Sequence, residues 1–314
     1  MKAKIMSFKK PEIMLLDGGL GQEINTRSAQ DTSHPLWSVK VMHDEPELVK
    51  SVHAEFLAAG AKTVSINTYT ASRTRFKRHG FLDRFQETHD LAIALMEQAI
   101  SESNLERSDV SVAGCLMPLA ASYVSEAALD YNSSYDEYCQ IIDAQINGVD
   151  VFLVETMSNI TETRAACDAL KSFGLPAHIG MTVSDDCTNR LRSGESLDAA
   201  IDAIITADAH SIMINCSYPE AVTMAMPMLH ASGLIFGGYA NGFTSIDSLK
   251  PGTTVDSLSA RKDLGPEAYT NHAMQWLEQG ATILGGCCEI GPDHIRHLHQ
   301  RLTADNYNII KIPS

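Results

Sequence analysis

The sequence predicts an α/β protein, a single (β/α)8 TIM-type barrel with its active site at the C-terminal ends of the strands. Three observations carry that expectation. Eight short apolar runs alternate with eight helix-like stretches, which implies parallel strands joined by crossover helices. The 314 residues hold no linker, low-complexity tract or charge run long enough to divide them. The polar and thiol residues that interrupt the apolar pattern gather just after the strands, where a barrel carries its chemistry. A doubly wound open sheet shares the local pattern and is the alternative.

The elements follow in order. The first apolar run, 13–16, leads into Asp17-Gly18-Gly19 and a long loop, 22–44, before a helix at 45–59. The second, 62–66, ends on Asn67-Thr68-Tyr69 and precedes a helix at 82–101. The third, 110–114, meets Cys115 and precedes a helix at 134–147; the fourth, 151–154, ends on Glu155, with a helix at 160–173. The fifth, 177–183, pairs with a helix at 197–207, and the sixth, 211–214, ends on Asn215-Cys216 before a helix opened by Pro219. The seventh, 234–239, is followed by Asn241 and a long loop to 265, then a helix opened by Pro266. The eighth, 282–284, runs into Gly285-Gly286-Cys287-Cys288-Glu289, and Pro292 opens the last helix. Proline in a first turn, a capping Ser or Asn and a glycine near the end are ordinary helix boundaries. Long loops in a compact domain tend to carry function. Residues 1–10 are expected to form an N-terminal tail and 11–314 the barrel.

Composition narrows the function. An apolar share of 44% fills a substantial core, and a net charge of −15 argues against nucleic acid and anionic membranes as partners. No window approaches the ~20 apolar residues that a membrane span needs. The basic start lacks the apolar stretch of a secretory signal. Seven cysteines in a chain this long point to a reducing, cytoplasmic setting and thiolate chemistry. Small-molecule substrates fit best, and the oligomeric state is open.

Cys216, Cys287 and Cys288 stand at the ends of two predicted strands, where they can converge on one metal ion. Three thiolates with a fourth position open is the pattern of a catalytic zinc site. Cys139, Cys167 and Cys115 read as small buried hydrophobes, and Cys187 as an exposed loop thiol. A Cys287–Cys288 disulfide is disfavoured, because bridging neighbours strains the peptide between them. Asp17-Gly18-Gly19 is a tight turn by composition, or a bare backbone that binds a substrate carboxylate. Glu155, at the mouth of a buried strand, needs an internal Arg or a substrate ammonium. His294 and His297 share a helix face, but with His299 they read as solvent-facing surface.

These residues resemble the homocysteine S-methyltransferase family. The resemblance rests on Gly285-Gly286-Cys287-Cys288, Asn215-Cys216, Asp17-Gly18-Gly19 and Gly60-Ala61 with Asn67-Thr68-Tyr69. It runs from Leu16 to about Leu298 and takes in Pro35-Leu36-Trp37-Ser38, Leu191 to Ser196 and Gly291-Pro292-Asp293-His294-Ile295. It implies Zn2+ on Cys216, Cys287 and Cys288, with homocysteine's amino group near Glu155 and its carboxylate on Asp17–Gly19. Asn67, Thr68, Tyr69 and Asn241 are the remaining expected substrate contacts. Departures fall at Glu289, where many relatives have glycine, and in the segments 114–118 and 239–243, which shape the donor side in relatives. The implied reaction is attack of a zinc-bound homocysteine thiolate on an onium methyl group, giving methionine. Trp37, Tyr69 and Phe243 are candidates to face the donor cation. S-methylmethionine or another sulfonium is the first expectation for the donor. Betaine and a separate corrinoid partner are alternatives, as is a non-catalytic thiol-binding barrel. A zinc hydrolase fits less well, since it would usually show His or carboxylate ligands. Homocysteine and selenohomocysteine are not distinguished as acceptors.

Overall fold

All eight expected strands form in the computed structural model, which describes residues 10–30, 34–246 and 258–313. They are β1 (Glu12–Leu15), β2 (Thr63–Ser65), β3 (Ser111–Leu116), β4 (Val151–Met157), β5 (His178–Met181), β6 (Ser211–Asn215), β7 (Ile235–Tyr239) and β8 (Ile283–Leu284). Each pairs in parallel with the next, from β2 to β8 and on to β1. The ring closes where Leu16 bridges Thr63 and the Lys62 N–H donates to the Leu15 carbonyl at 2.9 Å. The chain is the expected TIM-type barrel.

The helices are α1 (Leu20–Arg27), α2 (Trp37–Asp44), α3 (Pro46–Ala59), α4 (Arg73–His79), α5 (Phe85–Ser101), α6 (Tyr131–Gln145), α7 (Ile160–Ser172), α8 (Leu197–Thr206), α9 (Pro219–Ala231), α10 (Pro266–Glu278) and α11 (Pro292–Ala304). The eight expected ones are α3 and α5 to α11. Their starts follow cap chemistry: the Asn159 side chain accepts the Glu162 N–H, Ser196 accepts that of Ala199, and proline opens α3, α9, α10 and α11. The first long loop is not structureless, since it holds α1 and α2. Both span about two turns, too short for a 3.6-residue period to stand out. The short α4 was also missed; Ser72 caps its start, and Gly80, at φ 72°, ends it.

A ninth strand, β9 (Asn308–Ile310), adds to β1 and was not foreseen. Beyond it, the Ile312 N–H donates to Thr63 Oγ1 and its carbonyl accepts from Ser111 Oγ, tying the chain end to β2 and β3. Ile312 is fully buried with Met14, Leu153, Met213 and Ile283 inside the barrel. The interior is thus packed with side chains, and the chemistry is left to the strand C-termini. Residues 1–9, most of the expected tail, and 247–257, in the long segment after β7, lie outside the described residues. No helix among the described residues is long and apolar enough to cross a membrane.

Candidate active site

The loops after β1, β6, β7 and β8 are stitched together by main-chain hydrogen bonds. Gly286 donates to the Asp17 carbonyl, Cys287 to that of Ala240 (both 2.9 Å), and Gly242 to that of Cys288 at 2.8 Å. Cys216, at the end of β6, has φ 45° and donates its N–H to the Tyr239 carbonyl. These constraints bring the sulfurs of Cys216, Cys287 and Cys288 within 4.8 Å of one another. Sulfurs around one zinc ion, each about 2.3 Å from it, lie about 3.8 Å apart, so the three fit a single ion as separate thiolates. In the structure Cys216 and Cys287 are joined by a disulfide and Cys288 is free. The pair formed is not the vicinal one considered from the sequence, and it must be reduced before three sulfurs can act as ligands. Burial, with the charge of Glu289 adding to it, pushes the Cys288 thiol up to about 12. Without a cation beside it, this sulfur stays protonated at neutral pH.

The Gly18-Gly19 turn is demanded by this packing. A Cβ on Gly19 would sit 2.5 Å from the Cys287 carbonyl oxygen, and one on Gly18 would sit 2.1 Å from that of Ile290. The turn is less bare than expected: Asp17 N–H donates to Thr63, Gly19 N–H to Ile290, and Asp17 Oδ2 accepts the Ser65 N–H at 2.8 Å. Beside it, the first turn of α1 lines the cavity and has no side-chain cap.

Glu155 projects from an irregular stretch of β4, where the register shifts between Val154 and Met157 and Thr156 has φ 61°. Asn215 fixes that stretch: its Oδ1 accepts the Thr156 N–H at 3.0 Å and its Nδ2 donates to Thr156 Oγ1 at 2.9 Å. One side chain beside Cys216 thereby positions Glu155 as well. The Glu155 carboxylate accepts the Cys115 thiol at 3.1 Å and the Tyr239 hydroxyl at 3.3 Å. Among the described residues no Arg or Lys forms an ion pair with it. Burial raises its pKa, and burial raises that of Asp17 well above the ordinary carboxylate value. Glu155 is therefore a half-buried acceptor that meets no cation among the described residues. Cys115 is corrected from a packing residue to part of the site, because its strand end faces the same cavity.

Residues 14–302 match the model of the homocysteine S-methyltransferase family. The chain belongs to that family. It is 27% identical to the homocysteine S-methyltransferase of Escherichia coli (strain K12), covering 93% of this chain and 96% of that protein. It is 26% identical to the selenocysteine methyltransferase of Astragalus bisulcatus, with 92% of each covered. Crystal structures of the E. coli homocysteine methyltransferase MmuM align with TM-scores of 0.76 (metallated form, 24% identical) and 0.78 (oxidized form, 23%), covering 93% of this chain and 97% of theirs. The structural matches show a shared fold.

In this methyltransferase the remaining expected contacts divide. Asn67 and Tyr69 line the cavity, as do Trp37 and Phe243. Asn67 also clamps Ser38 of α2, accepting from its hydroxyl at 2.7 Å and donating to its carbonyl at 3.0 Å. Thr68 and Asn241 are fully buried and off the cavity wall. Thr68 lies past β2 in a tight turn, its N–H donating to the Ile66 carbonyl and its own carbonyl accepting from Ala71, and Asn241 accepts the Phe243 N–H. His294 and His297 are not solvent-facing surface: they are half-buried, held by Leu264 O and Thr270 Oγ1. His299 is half-buried beside Gly60. Glu289 has φ 67°, where glycine is unstrained, and its carboxylate accepts from Gln22 at 2.7 Å. Tyr123, at φ 64°, lies against Cys288 with Arg192 over its ring at 5.2 Å, and no sequence signal marked it.

Proposed function

We propose that the protein transfers a methyl group from an onium donor to the thiolate of homocysteine, giving methionine, with Zn2+ held by Cys216, Cys287 and Cys288. The observation that carries this is the convergence of three sulfurs on a cavity that also holds Glu155, a carboxylate without a cation. The homocysteine S-methyltransferase activity of the E. coli relative and the metallated form of MmuM support it. When bound, zinc supplies the Lewis acidity that keeps a thiolate deprotonated at neutral pH. Glu155 receives the substrate ammonium, and the positive dipole end of α1, which has no side-chain cap, receives the carboxylate. Asn215 and the Gly18-Gly19 turn hold these groups in register, and Trp37, Tyr69 and Phe243 offer faces to an onium cation. A sulfur–methyl bond forms as the methyl bond to the donor heteroatom breaks, and the donor keeps the electron pair. No protein nucleophile or general base is needed for this step. A sulfonium such as S-methylmethionine is the first choice of donor; glycine betaine and a corrinoid carried by a partner are the alternatives. Free thiols require a reducing, cytoplasmic setting.

The test is methionine formation by reduced, zinc-loaded protein given homocysteine and, separately, S-methylmethionine, dimethylsulfoniopropionate, glycine betaine or methylfolate. Turnover with one onium donor is expected. No methionine from any donor, despite bound zinc, would overturn the reading. The likeness to a selenocysteine methyltransferase makes a selenol acceptor the second reading, and selenocysteine in competition with homocysteine decides between them.

A further inference from the structure

The cavity that holds the cysteines is also lined by Arg75, Arg78, His34 and His79. Arg75, on α4, is buried, and its Nη2 donates to the Pro118 carbonyl at 2.9 Å and to Ser122 Oγ at 3.2 Å. Both acceptors are neutral. Its Nε is buried with no hydrogen-bond partner, and among the described residues no carboxylate forms an ion pair with it. Glu162 contributes to its field, but that carboxylate accepts from the Leu119 N–H and from Asn159. A buried guanidinium in this state is costly until an anion meets it. Arg78 is exposed and donates to the Ala120 carbonyl at 2.9 Å. His34 and His79 meet edge to face at 5.7 Å. Burial lowers the pKa of both, so they add N–H donors rather than charge at neutral pH.

Hydrogen bonds tie this basic wall to Tyr69, which lines the same cavity as the sulfurs. The Ser122 hydroxyl that Arg75 holds also meets the Tyr69 hydroxyl at 3.0 Å, and Tyr69 and Tyr123 both lie in the field of Cys288. One cavity thus holds both the sulfurs and Arg75, so a ligand bound in it can meet both. The sulfur end of the cavity carries the acidic side chains Asp17 and Glu155, and its wall also carries two arginines.

We propose that Arg75, assisted by Arg78, binds an anionic group of the methyl donor and selects donors in which a carboxylate is joined to the onium centre. The inference rests on the methyl-transfer reading above and adds the residue that sets donor choice. A planar guanidinium matches a carboxylate bidentately, which an ammonium does not.

The experiment compares dimethylsulfoniopropionate, which carries a carboxylate, with trimethylsulfonium, which does not, on wild type, Arg75→Met, Arg75→Lys and Arg78→Gln. Wild type is expected to favour the carboxylate-bearing donor by KM. Arg75→Met should raise that KM about tenfold or more, bring the ratio of the two KM values towards one, and leave the homocysteine KM in place. Arg75→Lys should recover part of the loss, and Arg78→Gln should show a smaller shift of the same sign. Equal loss with both donors, or a rise in the homocysteine KM instead, would overturn the assignment. Equilibrium dialysis of labelled dimethylsulfoniopropionate gives a readout independent of turnover. Binding that is lost in Arg75→Met, without any methionine formed by wild type, would leave the anion site standing and remove the reaction. Turnover that does not depend on Arg75 would do the reverse, and absence of wild-type binding would overturn the anion site outright.

Discussion

The two ends of the active-site cavity are built differently. The sulfur end stands on strand termini: Glu155 on β4, Cys115 on β3, Cys216 just past β6, and the Cys287-Cys288 pair just past β8. Each is held by main-chain bonds to the neighbouring strand or by a buried amide such as Asn215. The basic end stands on α4 and on the loop after β3, with Arg75 fastened only to a carbonyl and a hydroxyl of that loop. On the reading proposed above, the acceptor side is fixed by the barrel, whereas the donor side depends on segments that can change without disturbing the sheet. If that reading holds, one cavity has its chemistry anchored to the scaffold and its selectivity to the loops.

The comparison is broken most directly at the sulfurs. Cys216→Ser or Cys288→Ser should remove bound zinc, read by elemental analysis, and lower methionine formation by about 1,000-fold or more. Wild-type rates from a metal-free variant would end the division of roles. Glu155→Gln should raise the homocysteine KM by roughly 10- to 100-fold, the worth of one charge-assisted bond, and leave the donor KM unchanged. An equal rise in both constants would place Glu155 between the substrates instead.

The same residue predicts a pH effect on stability. Burial raises the Glu155 pKa above its ordinary 4.5, so the folded protein keeps a proton that the unfolded chain loses. Stability of the substrate-free protein should therefore fall as pH rises from about 4.5 to the raised folded value, and level off above it. Asp17 acts with the same sign. Thermal melts across this range should show a shallower fall in Glu155→Gln, and an unchanged slope would mean that the buried carboxyl is not the source. The smallest effect on chemistry is expected at the other end of the barrel. Ile312→Ala should cost about 2–4 kcal/mol of stability while zinc content and both KM values of the folded protein remain as in wild type. A changed homocysteine KM there would show that the barrel floor is coupled to its mouth.

Legibility in the sequence followed the same divide. The cysteines and Glu155 could be found because they interrupt apolar runs at positions where a barrel exposes its strand ends. Thr68 and Asn241 shared that position, yet their side chains turn into the protein, and position along the chain does not report direction. Cys115 was missed because a buried thiol usually only packs; its bond to Glu155 depends on the neighbouring strand. Arg75 carried no signal, since α4 spans only Arg73–His79, too short for its helical period to stand out among basic residues. The closing strand β9 was hidden because its partner, β1, lies almost 300 residues earlier.

By itself the sequence determined the alternation of strands and helices, the barrel, and which three cysteines stand at the strand ends, because periodicity and residue chemistry act locally. Tertiary structure alone decided which carboxylate lacks a cation, which thiol joins it, and which arginine is left without an anion. Those properties depend on burial and on distances between segments remote in the chain, and neither is written in any one of them.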